Sequence, residues 1–293
     1  MKFYIVDVFA EEKYQGNQLA VLIPDRDLDS GEMQKIARET NFSETTFIMS
    51  GKQENGGYHV RIFTPDFEVP FAGHPTLGTA FIIHKFIDKE SSEKILLNLE
   101  VGTIPVAISG DEFTMKQNQP SFGDRAIDRN EVAGIVKINE EDIRTDYPMQ
   151  MVSTGLPCMI VPLKTVDALK RCEIDHDRFR HFHNKGFLCN LLLFTPDTET
   201  GITDKDLRVR VFMEDAGFLE DPATGSANGN LAGYLLKYNY FDHMGQNEII
   251  YNVKQGAEIG RPSLLRIKAS LQDDEYDILV AGKVKLVAGG EWI

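Results

Sequence analysis

The chain is poor in the features that mark several large protein classes. Its 293 residues include three cysteines, Cys158, Cys172 and Cys189, widely spaced and odd in number. That pattern excludes a disulfide framework and reads as reduced thiols in a cytoplasmic protein. No apolar run approaches the ~18 residues of a membrane-spanning helix. The first residues, Met1 to Asp7, lack the apolar core of a signal peptide, so a cytoplasmic location is expected and a membrane partner is not. Positive charge is scarce: 31 Lys and Arg stand against 45 Asp and Glu, a net charge of −14. This argues against nucleic acid or an anionic membrane as a main partner. Gly-x-Gly-x-x-Gly after a strand, a phosphate-loop Gly-Lys-Ser/Thr, Gly-x-Ser-x-Gly and Cys-x-x-Cys are all missing. A standard nicotinamide or flavin enzyme, an NTPase and a serine hydrolase therefore lose support.

What the chain does have is a segment that occurs twice. Gly73-His74-Pro75-Thr76-Leu77-Gly78-Thr79-Ala80 has a gap-free counterpart 152 positions later in Gly225-Ser226-Ala227-Asn228-Gly229-Asn230-Leu231-Ala232. Each copy runs on into an apolar, helix-compatible stretch, 81–86 and 233–238. Each follows an Arg-x-Phe strand signal, Arg61-Ile62-Phe63 and Arg210-Val211-Phe212. A Gly-rich loop at a helix start presents backbone N–H groups to an anion, so the pair points to an anion site in two similar halves.

Runs of β-branched and aromatic residues predict strands at 3–9, 19–23, 45–49 and 58–63, and three short ones within 94–118. A helix capped by Ser30 is expected to about Arg38, with Met33, Ile36 and Ala37 on one face. In the second half, strands are expected near 149–154, 158–163, 187–195, 207–213, 248–253, 263–270, 275–281 and 282–288, with a helix-rich insert near 165–184. The helices after Gly73 and Gly225 carry apolar residues on several sides, Phe81 to Phe86 in one and Leu231 to Tyr238 in the other. Such helices are usually buried on several sides. A strongly curved sheet wrapped around a central helix, made twice, satisfies that. The expected class is α+β, with two pseudo-symmetric domains, each a curved, mostly antiparallel sheet or barrel. The boundaries are 1–120, joined by the C-terminal strand 282–293, and 121–281.

Four features could carry chemistry. Gly73 and Gly225 allow close backbone approach, and Thr76 and Ser226 add hydroxyl donors beside them. Asp221, in Glu220-Asp221-Pro222-Ala223-Thr224-Gly225-Ser226, precedes a helix start, where the dipole favours its ionised form. An anionic Asp beside an anion loop suits a zwitterion; the alternative is a plain Asp-Pro turn. Glu44, in Asn41-Phe42-Ser43-Glu44-Thr45, stands at a helix–strand junction and could accept and donate a proton. Taken alone, such a Glu is more often a solvated loop residue. His74 could donate a hydrogen bond or share in proton transfer, or be structural. The tract Asp175 to His183 tempts as a metal site through His176, His181 and His183. Its spacing matches no common zinc pattern, and it reads as a solvated helix face; no metal is expected.

At these residues the chain resembles the phenazine-biosynthesis PhzF-like family, with the diaminopimelate epimerase-like fold. The match runs in order through five segments: Val8-Phe9 with Gly16-Asn17-Gln18-Leu19-Ala20-Val21; Asn41 to Thr45; Phe63-Thr64-Pro65 with Phe71 to Gly78; Glu220 to Ala227; and Gln255-Gly256 with Gly260-Arg261-Pro262-Ser263. Gln18 departs from the family, which often has Pro there. The resemblance implies a homodimer and an isomerase needing no cofactor, with its site in a cleft between the domains. It further implies a small-molecule carboxylate substrate, with Glu44 moving a proton between ring carbons. His74, Asp221 and Ser226 match the family's supporting polar groups, and Gly73 and Gly225 its helix-start loop glycines; the expected catalytic residues are Glu44, His74 and Asp221, and the expected substrate-binding residues Gly73, Thr76, Gly225 and Ser226. The related epimerases use two cysteines, one at each loop. Neither loop has one here, so a two-thiol racemase is excluded. A non-thiol epimerase, or a binding protein that has kept the cleft, remains open at this stage.

Overall fold

The computed structural model describes residues 1–89, 93–200, 203, 205–213, 220–242 and 248–293. The chain divides into two compact units, Met1–Lys116 with Ala281–Ile293, and Gln117–Val280.

The first unit contains β1 (Lys2–Val8), β2 (Asn17–Ile23), α1 (Ser30–Thr40), β3 (Thr45–Ile48), β4 (Tyr58–Phe63), β5 (Glu68–Val69), α2 (Gly73–Ile82), β6 (Lys94–Leu99), β7 (Gly102–Ser109) and β8 (Glu112–Lys116). Its pairings run β1–β2–β3–β4–β6–β7–β8, antiparallel except at β2–β3 and β4–β6. The last strand of the chain pairs with both β8 and β1 and closes the barrel. Helix α2 touches β1, β2, β3, β6, β7 and β8, and Gly73 to Ala80 are all buried. Gly78 is required there: a Cβ would stand 2.6 Å from Leu19 and 2.9 Å from Val8. Polar groups on this buried helix need partners. Thr79 finds one in Thr46, 2.8 Å away.

The second unit contains β9 (Ser121–Phe122), α3 (Arg129–Ile135), β10 (Gln150–Ser153), β11 (Pro157–Pro162), α4 (Val166–Arg171), α5 (His176–Asn184), β12 (Asn190–Pro196), β13 (Leu207–Phe212), β14 (Glu220–Asp221), α6 (Gly225–Lys237), β15 (Glu248–Gln255), β16 (Ser263–Gln272) and the start of β17 (Glu275–Glu291). Strands pair in the order β9–β10–β11–β12–β13–β15–β16, with β11–β12 and β13–β15 parallel. Helix α6 lies against β10, β11 and β16, and Gly225 to Leu236 are buried without exception. On the other face of the sheet, Val132, Leu169, Phe179 and Phe182 from α3, α4 and α5 build a separate core with Met159 and Leu191.

Several local expectations change. The cap of α1 is Asp29, whose carboxylate accepts from the Glu32 N–H at 2.9 Å; Ser30 is the first helical residue. The charged oxygen is the stronger acceptor. Helix α3 was not anticipated, although Asp128 caps it. The strands expected at 275–281 and 282–288 are one, β17, because Gly282 is no turn. It admits Phe9, whose ring a Cβ would meet at 2.4 Å. The reversal lies before β17, at Asp273 and Asp274, both with positive φ. The α-helical pattern stops at Ile82 and continues as a π-turn over Ile83–Ile87. This brings Phe86 to the surface, 37% exposed and stacked on Tyr4.

Candidate active site

In the first unit, α1 ends at Asn41 in the left-handed conformation, and Glu44 comes immediately before β3. His74 is the second residue of α2. These turns, 30 positions apart in sequence, place His74 Nε2 at 3.4 Å from Glu44 Oε2, with side-chain exposures of 6% and 18%. Asn17 accepts a hydrogen bond from the Ser43 hydroxyl at 3.3 Å, which steadies the turn that carries Glu44. Burial pushes His74 down from its ordinary 6.5 to about 3; a hydrogen bond with the Gln18 backbone opposes the shift more weakly. The imidazole is therefore neutral at physiological pH. The unfolded chain takes up this proton near pH 6.5 and the folded chain only near 3. The stability it contributes is intact above about pH 6.5 and is lost as pH falls toward 3. The His74 ring C–H resonances are expected to stay fixed from pH 8 down to about 4 in an NMR titration; a midpoint near 6.5 contradicts a sealed neutral ring.

In the second unit, Asp221 is 7% exposed, and its Oδ2 accepts from the Thr224 hydroxyl at 2.5 Å. Gln255 ties this loop together. Its Nε2 donates to Asp221 O at 2.8 Å and to Thr224 Oγ1 at 3.0 Å, and its Oε1 accepts from Thr224 N and from Asn228 Nδ2. Gly256 follows with φ +75°, and a Cβ there would stand 2.5 Å from the carbonyl oxygens of Pro222 and Arg261. Gly256→Ala is expected to lower stability by more than ~1 kcal/mol and to displace the Asp221 loop. Denaturant unfolding checks the first effect and substrate KM the second.

The two helix starts differ from the others in the chain. Among the described residues, α1, α3, α4 and α5 are each capped by a side chain, Asp29, Asp128, Thr165 and Asp175. Helices α2 and α6 begin at Ala72 and Thr224 with no side-chain cap, although their starts are buried. The Thr224 hydroxyl is engaged by Asp221 and Gln255 instead. The first intrahelical bond of α6 is Asn228 N to Thr224 O, which leaves the N–H groups of Gly225, Ser226 and Ala227 for a ligand. In α2 the first bond is Thr76 N to Ala72 O, and Pro75 has no N–H, so Gly73 and His74 supply the donors. The Thr76 hydroxyl donates back to Ala72 O at 2.7 Å, so its proton is already committed. Asn228 does the same in α6, through Nδ2 to Thr224 O at 2.9 Å.

The repeat extends beyond the helices. Strand β4 pairs Ile62 with Val69 and Phe63 with Glu68, and β13 pairs Val211 with Asp221 and Phe212 with Glu220. In both units the Arg of Arg-x-Phe forms a two-pronged bridge to the Glu: Arg61 to Glu68 at 2.7 and 2.5 Å, Arg210 to Glu220 at 2.9 and 2.6 Å. These braces fix the strand that leads into each helix start. In this register Val69 stands where the second unit has Asp221. Thr45 faces Phe63 and Leu191 faces Phe212, so Glu44 corresponds to Asn190. The Arg–Glu braces and the Gln255 clamp went unassigned in the sequence. Arg-x-Phe and Gln255-Gly256 were visible there, but the braces depend on the pairing of β4 with β5 and of β13 with β14, and the Gln255 clamp spans 34 residues, so neither leaves a local signal. The histidines of α5 sit elsewhere: His176 and His181 are exposed, Phe179 and Phe182 turn inward, and His183 Nε2 lies 2.9 Å from Cys189 O.

A barrel closed around a buried helix, with the same strand–loop–helix construction in the second unit, is the mixed α+β architecture of the epimerase-like fold. The family model for "Phenazine biosynthesis-like protein" (PhzC-PhzF) matches residues 6–290. A Pseudomonas fluorescens protein named trans-2,3-dihydro-3-hydroxyanthranilate isomerase is 34% identical over 272 residues, covering 91% of this chain and 90% of that one. A Bacillus anthracis structure described as a phenazine biosynthesis protein of the PhzF family has a TM-score of 0.90 at 26% identity, over 100% of this chain and 99% of its own. A Pseudomonas aeruginosa structure described as a "Predicted Epimerase" has a TM-score of 0.79 at 29% identity, with coverage of 100% and 99%. The chain belongs to the PhzC-PhzF family of phenazine biosynthesis-like proteins, and it is an isomerase of small molecules. No helix among the described residues is long and apolar enough to cross a membrane.

Proposed function

We propose that this isomerase moves a proton within a small carboxylate that bears an amino or enamine group, with Glu44 as the acid–base residue. The observation that carries this reading is the asymmetry of the repeat. Glu44 and His74 stand together in the first unit, whereas the corresponding positions in the second hold Asn190 and Ser226, neither of which cycles a proton near neutral pH. One acid–base group at these positions suits a shift between two carbons on one face; the loop carboxylate of the second unit, Asp221, is already engaged by the Thr224 hydroxyl, which counts against its serving as the second base of an epimerase. Both carbons must come within ~2.6–3.2 Å of the same carboxyl for one residue to serve them.

His74, held neutral, cannot lock Glu44 as an ion pair. Its ring can share a proton with the Glu44 carboxyl while that group changes state. The N–H groups of Gly225 and Ser226, with the Ser226 hydroxyl, take the substrate carboxylate. Those of Gly73 and His74 stabilise negative charge as it develops. Asp221, held by Thr224 and Gln255, receives the amino group. No step calls for a cofactor, and homodimerisation is part of the same proposal, to be checked by sedimentation equilibrium.

The test begins with trans-2,3-dihydro-3-hydroxyanthranilate, the compound in the relative's name, turned over in D2O. Wild-type protein is expected to isomerise it, or a close carboxylate analogue, with deuterium entering at carbon. If Glu44→Gln incorporates deuterium at the parent rate, Glu44 is not the acid–base residue.

A further inference from the structure

The loop that carries Asp221 has a counterpart of equal length in the first unit. Glu68-Val69-Pro70-Phe71-Ala72-Gly73 aligns without a gap on Glu220-Asp221-Pro222-Ala223-Thr224-Gly225, each running from a paired strand to a helix start. The strand behind the loop aligns as well. Between β13 and β15, Leu207 pairs with Val253 and Val209 with Gln255; between β4 and β6, Tyr58 pairs with Leu97. With Arg61 matched to Arg210, Gln255 corresponds to Leu99, and each is the last residue of its strand. Three positions therefore change together. The first unit has Val69, Ala72 and Leu99, where the second has Asp221, Thr224 and Gln255. The first loop keeps its strand pairing and its Arg–Glu brace with none of the three polar groups, so the turn does not need them.

The hydrogen bonds around the polar three run in one direction, and backbone groups fix it. Asn228 Nδ2 lies 2.9 Å from Thr224 O, which only accepts, so this end of the amide is its NH2. Its second hydrogen goes to Gln255 at 2.9 Å, so that atom of Gln255 is the oxygen. The Thr224 N–H, which only donates, meets the same oxygen at 3.3 Å. The Gln255 nitrogen then faces Asp221 O, another pure acceptor, at 2.8 Å and Thr224 Oγ1 at 3.0 Å. An amide nitrogen does not accept. The Thr224 oxygen therefore receives that hydrogen, and its own single proton is left for Asp221 Oδ2 at 2.5 Å. A donor aimed at a carboxylate makes one of the stronger hydrogen bonds in a protein, and at 7% exposure Asp221 is largely screened from competing water.

We propose that Thr224 and Gln255 are positioning residues for the reaction. The Gln255 amide, oriented by backbone, turns the Thr224 hydroxyl onto Asp221 and so fixes the carboxylate that receives the substrate's amino group. This rests on the reading of Asp221 as the amino-group partner. The carboxylate is set before substrate arrives, so binding does not bear the cost of ordering it.

The test is steady-state kinetics of the full-length protein with trans-2,3-dihydro-3-hydroxyanthranilate, in a double-mutant cycle of Thr224→Val and Asp221→Asn. Thr224→Val keeps the shape of the side chain and removes its hydroxyl. It is expected to raise KM about tenfold, with kcat changed less than about threefold, because Asp221 holds the amino group both before and during the proton shift. Thr224→Ser, which keeps the hydroxyl, should return KM to within about threefold of the parent. In the Asp221→Asn background Thr224→Val should cost less than about twofold, since the charged acceptor is gone. An equal rise in KM in both backgrounds means that Thr224 acts through the fold and not through Asp221, which overturns the proposal. A Thr224→Val protein with the parent KM beside an impaired Asp221→Asn overturns the relay and leaves the reading of Asp221 standing. Parent kinetics in Asp221→Asn overturn that reading, and the relay with it. Ligand-free protein gives a second readout by NMR. The Gln255 side-chain amide protons, assigned by their loss in Gln255→Leu, should exchange with solvent at least about a hundredfold more slowly than those of an exposed glutamine. Exchange at the exposed rate overturns the relay without reference to any substrate.

Discussion

Glu44→Gln is expected to lower kcat by about 10³-fold, within the range that positioned acid–base groups contribute, while KM changes by less than about threefold. The split follows from the geometry. Glutamine keeps the size and hydrogen-bonding reach of the side chain, so the Ser43–Asn17 contact and the packing of His74 persist. What is removed is the ability to change protonation state, which matters only in the reacting complex. The Glu44 side chain is 18% exposed, so folding should tolerate the change. Steady-state kinetics with a thermal-unfolding control decides the matter. A fall in kcat matched by an equal fall in melting behaviour points to a structural residue; unchanged kcat removes Glu44 from the reaction.

The largest effect on stability is expected at Arg210. Its side chain and that of Glu220 are 8% and 6% exposed, and its Nη1 also donates to the carbonyls of Leu169 and Cys172 at 3.0 and 2.7 Å. Arg210→Met leaves a buried carboxylate without its counter-charge and takes a donor from the carbonyls of Leu169 and Cys172, of which Leu169 O keeps the Cys172 N–H, a loss of about 3–5 kcal/mol. The equivalent Arg61→Met should cost about 1 kcal/mol or less, because that pair is 22% and 33% exposed and water can replace the lost partner. Arg210→Met/Glu220→Leu should recover most of the loss, since the isolated charge is gone. Hydrogen exchange of β13 and α6 reads the second unit directly, which a two-unit chain requires because its unfolding need not be two-state. Equal losses at Arg61 and Arg210 contradict the assignment to burial.

Much of the architecture was legible because it is local. The period of apolar residues marked most strands, and Gly73 and Gly225 marked the helix starts with a spacing that survived in the pairing register. Where reading failed, a non-local contact had overruled a local rule. Gly282 looked like a break, and the ring of Phe9 made it a close approach within a continuous strand. Phe86 looked buried by its neighbours, and a π-turn rotated it outward. Helix α3 is seven residues long, too short for its period to stand out beside the polar segment before it.

The sequence by itself determined the repeat, the order of the family's motifs, the absence of a loop thiol and the candidates Glu44, His74, Asp221 and Ser226. Each of these is a matter of residue identity and spacing, which the chain carries in one dimension. Only the tertiary structure brought His74 to 3.4 Å from Glu44, sealed it so that it stays neutral, and set Gln255 and the Arg–Glu pairs behind the loops. Burial and contacts between distant segments are properties of the packed chain. They decide which charges survive and which hydrogen-bond donors are already spent, and no local pattern encodes them.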